Sequence, residues 1–215
     1  MPAVTDLSLF GWAAERAAEL PANTAPARVL RVDRGLLTVA TDSGEARVHP
    51  AAALYDDADL GGPAVGDWVA VRGELAVAVL PRTSAFVRTV AGRTSAAQVV
   101  AANLDTVLVV DALAGEARLR RVERYLAVAW SSGATPVVVL TKADLCDDVA
   151  AVVEQVREDA LGVEVLAVSS VTGEGVDAVR ALLPPGRTGA MVGPSGVGKS
   201  SLVNALSGET IADTG

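Results

Sequence analysis

The chain has 215 residues, of which 51% are hydrophobic and 20% charged, and its formal net charge is −8. That length and apolar content supply one large or two ordinary cores and exclude a disordered chain. The acidic balance argues against nonspecific polyanion binding, so a nucleic acid would have to meet a local arginine face.

In chain order, residues 1–22 form an amino-terminal arm in which 7–20 is mostly helix-forming and stops at Pro21, which predicts a short docking helix. Asp6, Glu15, Arg16 and Glu19 stand where a secretion signal would need a basic start and an apolar core, so no signal is expected. From Arg28 the period changes. Residues 28–33, 36–41 and 46–49 are β-prone runs broken by Asp33-Arg34-Gly35 and Asp42-Ser43-Gly44, and after an irregular stretch over 51–62 come two more runs at 67–72 and 75–80. Five short strands with a longer connection after the third predict a Greek-key barrel of the oligonucleotide-binding (OB) type over 23–88. Its candidate RNA contacts are Arg28, Arg31, Arg34, Arg47 and Arg82, with Arg72 and Arg88 also available and Tyr55, Trp68 and Phe86 as stacking groups. The competing reading buries Trp68 and Phe86 in the core and leaves the arginines as ordinary solvated surface. Residues 1–90 carry 8 Arg against 11 Asp and Glu, so binding there needs a patch rather than a general field.

Residues 89–102 are expected to be a linker, and from 103 onward strands and helices alternate. Strands are predicted at 106–110, 136–140, 163–168 and 188–192, with helices at 119–130, 149–161 and 175–183 between them. Near-continuous Val and Leu runs flanked by amphipathic helices indicate a doubly wound α/β domain over 103–215, with a parallel sheet covered on both faces. Ligands of such sheets lie outside the carboxyl ends of the strands. The longest uncharged run, 125–141, is interrupted by Ser131-Ser132-Gly133-Ala134-Thr135-Pro136 and falls short of the ~20 apolar residues of a membrane span. A cytoplasmic protein is expected. One cysteine, Cys146, and one histidine, His49, make neither an internal disulfide nor a Cys/His zinc site.

The stretch Gly193-Pro194-Ser195-Gly196-Val197-Gly198-Lys199-Ser200-Ser201 fits G-x-x-x-x-G-K-[ST] between a strand and a helical pattern, which is the context a phosphate-binding loop requires. Its glycines let successive N–H groups turn inward at a helix N-terminus, Lys199 adds a point charge on the β and γ phosphates, and the Ser200 hydroxyl suits Mg²⁺. Thr141-Lys142-Ala143-Asp144 follows the second strand of this half. A carboxylate there can accept from both N1–H and N2–H₂ of guanine, donors that adenine lacks in that arrangement. The Lys142 stem can cover the base, and the Thr141 hydroxyl can tie this loop to the phosphate loop. After the next strand, Ser169 can brace the base loop while the Ser170 N–H meets guanine O6. The plain alternatives are a helix cap at Asp144 and a Ser/Gly turn at 169–175. Three loops at three strand ends together point to GTP.

The order base loop, second base loop, phosphate loop is circularly permuted relative to ordinary small GTPases. With the barrel in front, and with Gly66-Asp67-Trp68-Val69, Leu80-Pro81-Arg82, Gln98-Val99-Val100-Ala101-Ala102-Asn103-Leu104-Asp105 and Gly196-Val197-Gly198-Lys199-Ser200-Ser201-Leu202-Val203-Asn204, the chain resembles the small ribosomal subunit biogenesis GTPase family (RsgA, also called YjeQ or YloQ). The resemblance covers nearly all 215 residues. It implies a cytoplasmic bacterial GTPase that uses Mg²⁺ with GTP or GDP, contacts ribosomal RNA of the small subunit through its barrel, and hydrolyses GTP upon release; a monomer is expected. Thr141 stands where the family more commonly has Asn. The resemblance also leads one to expect switch segments and a zinc domain after Ala212-Asp213-Thr214-Gly215, so these 215 residues, which carry no zinc ligands, are expected to bind nucleotide and hydrolyse it poorly. Two other readings are a P-loop ATPase with a fortuitous Thr-Lys-Ala-Asp, and a noncatalytic RNA-binding assembly module with a vestigial nucleotide site.

Overall fold

Alternating apolar residues in the first half close into a barrel. The computed structural model describes residues 5–56, 61–90, 96–113, 118–160 and 162–213. They divide into two compact units, one built from the chain up to Leu104 together with Pro185–Thr188, the other from Asp105–Pro184 and from Gly189 on.

In the first unit, β1 (Ala25–Asp33), β2 (Leu36–Thr41), β3 (Gly44–Pro50), β4 (Trp68–Arg72) and β5 (Leu75–Val79) form a closed barrel in the order β1-β2-β3-β5-β4. Only β3 and β5 run parallel, through His49↔Leu75 and Pro50↔Ala76, and β1 closes on β4. This is the five-stranded OB arrangement. Residues two apart point the same way along a strand, so Ala27 and Val29, and Leu37 and Val39, fill the interior together with Val48 of β3 and Val69 of β4. Outside it, Leu7, Ala40, Trp68 and Leu80 make a second cluster with Phe10 and Trp12 packed against them, the Trp12 and Trp68 rings 4.8 Å apart.

Two expectations change here. The arm is two short 3₁₀ turns, Leu7–Phe10 and Ala14–Glu19, rather than one helix. They part at Gly11, which has φ 88° and lies so near Gly186 that a Cβ would come within 2.6 Å of its carbonyl oxygen. Much of the stretch expected as a linker is an antiparallel pair, β6 (Ala85–Val90) with β7 (Ala96–Ala102), while 91–95 lie outside the described residues.

The second unit is a parallel sheet in the order β10-β9-β8-β11, from β8 (Thr106–Ala112), β9 (Thr135–Thr141), β10 (Glu164–Ala167) and β11 (Gly189–Val192). Helices α1 (Arg118–Ser131), α2 (Val149–Asp159), α3 (Val176–Ala181) and α4 (Lys199–Ser207) connect or follow the strands. Its core includes Leu108, Val110, Val137, Val139, Val168, Val179 and Leu202. At the end of β8 the Asp111 carboxylate is buried and takes both Nε and Nη2 of Arg121 at 2.8 Å. Those hydrogen bonds raise the Arg121 pKa above its ordinary value.

Candidate functional site

The carboxyl ends of β9, β10 and β11 each deliver one of the predicted loops. After β11 the chain turns at Gly193, whose φ of 152° and close approach to β8 exclude a side chain, since a Cβ would meet the Val110 carbonyl oxygen at 2.1 Å. It re-enters helical geometry at Gly198, φ 94°, the N-cap of α4. Among the described residues, the backbone N–H groups of Gly196, Val197, Gly198, Lys199 and Ser200 have no hydrogen-bond partner. A run of unpaired amides at a helix N-terminus is an anion site. The Lys199 ammonium donates to the carbonyls of Gly193, at 2.9 Å, and Pro194. Lys142, Ser195, Gly196, Gly198, Lys199, Ser200, Ser201 and Asp213 line a cavity of about 520 Å³.

The loop after β9 is fastened to this cup. The buried Thr141 hydroxyl donates to the Val197 carbonyl and lies 3.2 Å from the Asp111 carbonyl, while the Leu113 N–H donates to the Thr141 carbonyl at 2.8 Å. Lys142 adopts a left-handed conformation, φ 60° and ψ 41°, which carries its ammonium to the Gly196 carbonyl at 2.9 Å. The Ala143 N–H donates to the Val168 carbonyl at 3.1 Å, holding the base loop against the end of β10.

Asp144 is exposed, and its Oδ1 accepts from the Ser169 hydroxyl at 2.6 Å. Ser169 is fully buried and its hydroxyl also accepts from the Val171 and Thr172 N–H groups, so the brace is itself held from behind. Asp144 therefore orients a carboxylate rather than capping a helix; the helix α2 that follows is capped by Asp148, which accepts from the Ala151 N–H. The Ser170 N–H has no partner among the described residues.

Sequence reasoning missed two residues here. Asn204 of α4 accepts from the N–H groups of Ile211 and Ala212 and donates to the Ala212 carbonyl, clamping the segment that presents Asp213 to the cavity. A polar residue inside the apolar pattern Leu202-Val203-Asn204-Ala205-Leu206 was the available signal.

In the barrel unit the candidate arginines separate into two groups. Arg28 is 5% exposed; it donates to Thr188 and to the Asn103 carbonyl and lies 5.1 Å from the centroid of the Trp68 ring. Arg82 forms a forked ion pair with the fully buried Asp67, at 2.8 and 2.7 Å, and a further bond to the Gly62 carbonyl. Both are therefore corrected from RNA contacts to internal struts, because each meets the polar partners its burial requires. Trp68, at 1% exposure, is core as well. Arg31, Arg34 and Arg47 are exposed.

Such a parallel sheet, with its phosphate loop last in sequence and both base-side loops ahead of it, defines a P-loop nucleotide-binding domain of permuted connectivity. The chain belongs to the RsgA GTPase family, whose family model matches residues 79–215. It is 45% identical over 213 residues to the small ribosomal subunit biogenesis GTPase RsgA of Streptomyces avermitilis, covering 94% of this chain and 57% of that protein. It is 46% identical to the protein of the same name from Streptomyces coelicolor, covering 87% and 53%. The chain thus spans about half the length of the curated relatives it matches. Its fold matches the crystal structure of YjeQ from Thermotoga maritima with a TM-score of 0.65 and 25% identity, over 85% of this chain and 65% of that one. It likewise matches YloQ, a circularly permuted GTPase, at 0.64 and 18% identity, over 86% and 64%.

Proposed function

We propose that this protein binds guanine nucleotides, hydrolyses GTP to GDP and phosphate, and acts in the cytoplasm in maturation of the small ribosomal subunit. The observation that carries the guanine reading is the Asp144 carboxylate, held by Ser169 on a loop that Thr141 and Lys142 fasten to the phosphate cup. In the proposed complex Asp144 accepts from guanine N1–H and N2–H₂, the Lys142 stem covers the base, and the Ser170 N–H meets O6. The phosphates lie over the unpaired amides of 196–200, with Lys199 turning from the Gly193 and Pro194 carbonyls to the β and γ oxygens. Ser200 and Asp213 offer hard oxygen donors in the same cavity, which fits Mg²⁺ held jointly with the phosphates. Bound there, the ion neutralises charge on the phosphate oxygens. Phosphoryl transfer rests on positioning and charge stabilisation, and here Lys199 and the loop amides supply both toward the leaving β–γ bridge oxygen.

The barrel is proposed to contact ribosomal RNA. Register places Arg31, Thr38 and Arg47 in one row across β1, β2 and β3, with Arg34 at the adjoining turn. The Thr38 hydroxyl in the middle of that row is covered from solvent and has no hydrogen-bond partner among the described residues, so the exposed guanidinium groups of Arg31 and Arg47 are the ones that would meet phosphate. The reading is tested by GTP and ATP turnover, with and without purified small subunits. GTP and not ATP is expected to be hydrolysed, slowly by these 215 residues, with Lys199→Ala lowering that turnover at least ~100-fold and Arg31→Glu with Arg47→Glu weakening subunit binding. Equal hydrolysis of ATP would refute it.

A further inference from the structure

We propose that the outer face of α1, in the nucleotide-binding unit, is a second RNA-contact surface, on which Arg120 and Arg124 hold phosphates and Trp130 stacks an unpaired base. The proposal rests on the reading that this protein engages RNA, and it places a contact outside the barrel. With 3.6 residues per turn, Arg120, Glu123, Arg124, Ala127, Trp130 and Ser131 share one side of the helix, and all six are exposed. The opposite side, Val122, Leu126 and Ala129, is buried.

Three features of that stripe suit it to a polyanion that carries unpaired bases. Arg120 lies in the first turn and Arg124 one turn further, so cations sit at the positive end of the helix dipole and repel each other at i,i+4 spacing. Neither has an ion-pair partner among the described residues, whereas Arg121, between them, is taken up by Asp111. Arg124 lies 5.1 Å from the Tyr125 ring centroid, which steadies the guanidinium and leaves its charge uncompensated. Third, Trp130 is 53% exposed, while indoles are highly buried on average.

The chemistry favours RNA over an acidic protein. A protein interface surrounds its aromatic anchor with other apolar residues, but the neighbours of Trp130 on this face are the small Ala127 and Ser131 and the charged Glu123. A bare indole with small residues in front of it leaves room for a base to stack, and guanidinium groups pair with phosphate through a planar fork. Arg120 and Trp130 are separated by about 15 Å of helix rise, enough for a short single strand to run from one to the other.

The test is fluorescence anisotropy with a labelled single-stranded RNA 12-mer across a salt series, on the unaltered protein, Arg120→Glu/Arg124→Glu and Trp130→Ala. Charge reversal is expected to weaken binding at least tenfold and to reduce the slope of log affinity on log salt by about 1.4, two phosphates on a single strand. Trp130→Ala is expected to weaken binding roughly fivefold or more and to abolish RNA-dependent quenching of indole emission. Both variants should bind GDP as the unaltered protein does. If both keep RNA affinity within twofold while Arg31→Glu/Arg47→Glu loses it, the inference is overturned and the barrel reading stands. If the unaltered protein binds no RNA, both are overturned. Capture of polyglutamate but not RNA through Arg120 and Arg124 would also overturn it, by making the partner an acidic protein.

Discussion

Replacing Ser169 by alanine removes one oxygen from the most constrained point of the site. That hydroxyl donates to Asp144 at 2.6 Å and accepts from Val171 and Thr172 at 3.2 and 3.1 Å. A hydrogen bond to a charged group contributes about 1.5–3 kcal/mol, and about 1.4 kcal/mol is tenfold in affinity. Asp144 is exposed and keeps its second oxygen, so part of its orientation survives, and GDP affinity should fall toward the lower end of a roughly 10- to 100-fold range. The two released N–H groups belong to an exposed turn, with Val171 85% exposed, and can turn to water. Unfolding stability should therefore drop by only about 1 kcal/mol. Calorimetric titration of GDP beside a denaturant melt separates the two effects. GDP affinity within twofold of the unaltered protein, in a normally folded variant, would refute the argument that Ser169 positions the base-reading carboxylate.

Asp67→Ala removes both carboxylate oxygens of the forked pair with Arg82 and the acceptor of the Ala64 N–H, and should cost about 3–5 kcal/mol in a denaturant melt; a loss under 1 kcal/mol would contradict the strut reading. Gly193→Ala drives a Cβ into the Val110 carbonyl, so GDP binding should be lost and the melting temperature lowered, as calorimetry and thermal melting would register. Thr141→Val keeps the shape of the side chain but loses the bond to the Val197 carbonyl. GDP affinity, measured by the same titration, should fall about tenfold.

The phosphate loop and its flanks were legible because the backbone itself demands glycine there: Gly193 and Gly198 have positive φ, and at Gly193 a Cβ would also run into a carbonyl oxygen. The barrel strands were legible from a period of two, and the parallel sheet from unbroken Val and Leu runs. The fate of Arg28 and Arg82 was not, because an arginine's burial depends on which acceptor the fold brings to it, and those acceptors, Thr188 and Asp67, lie 160 and 15 residues away. The arm was misread because Ala, Glu and Arg favour a helix locally, while the close approach of Gly11 to Gly186 is a tertiary event. The β6–β7 pair escaped because its second strand, Ala-Ala-Gln-Val-Val-Ala-Ala, has little β propensity of its own. Asp213 reached the cavity through Asn204, a clamp between residues eight positions apart that no spacing rule encodes.

The central claim is that one nucleotide is read at both ends, its base by Asp144 and its phosphates by the amide cup. Calorimetric binding of GDP and ADP to the unaltered protein and to Asp144→Asn tests it most directly. GDP should bind at least ~100-fold more tightly than ADP, and the substitution should erase most of that preference while leaving ADP binding little changed. Equal affinities for GDP and ADP in the unaltered protein would contradict the account.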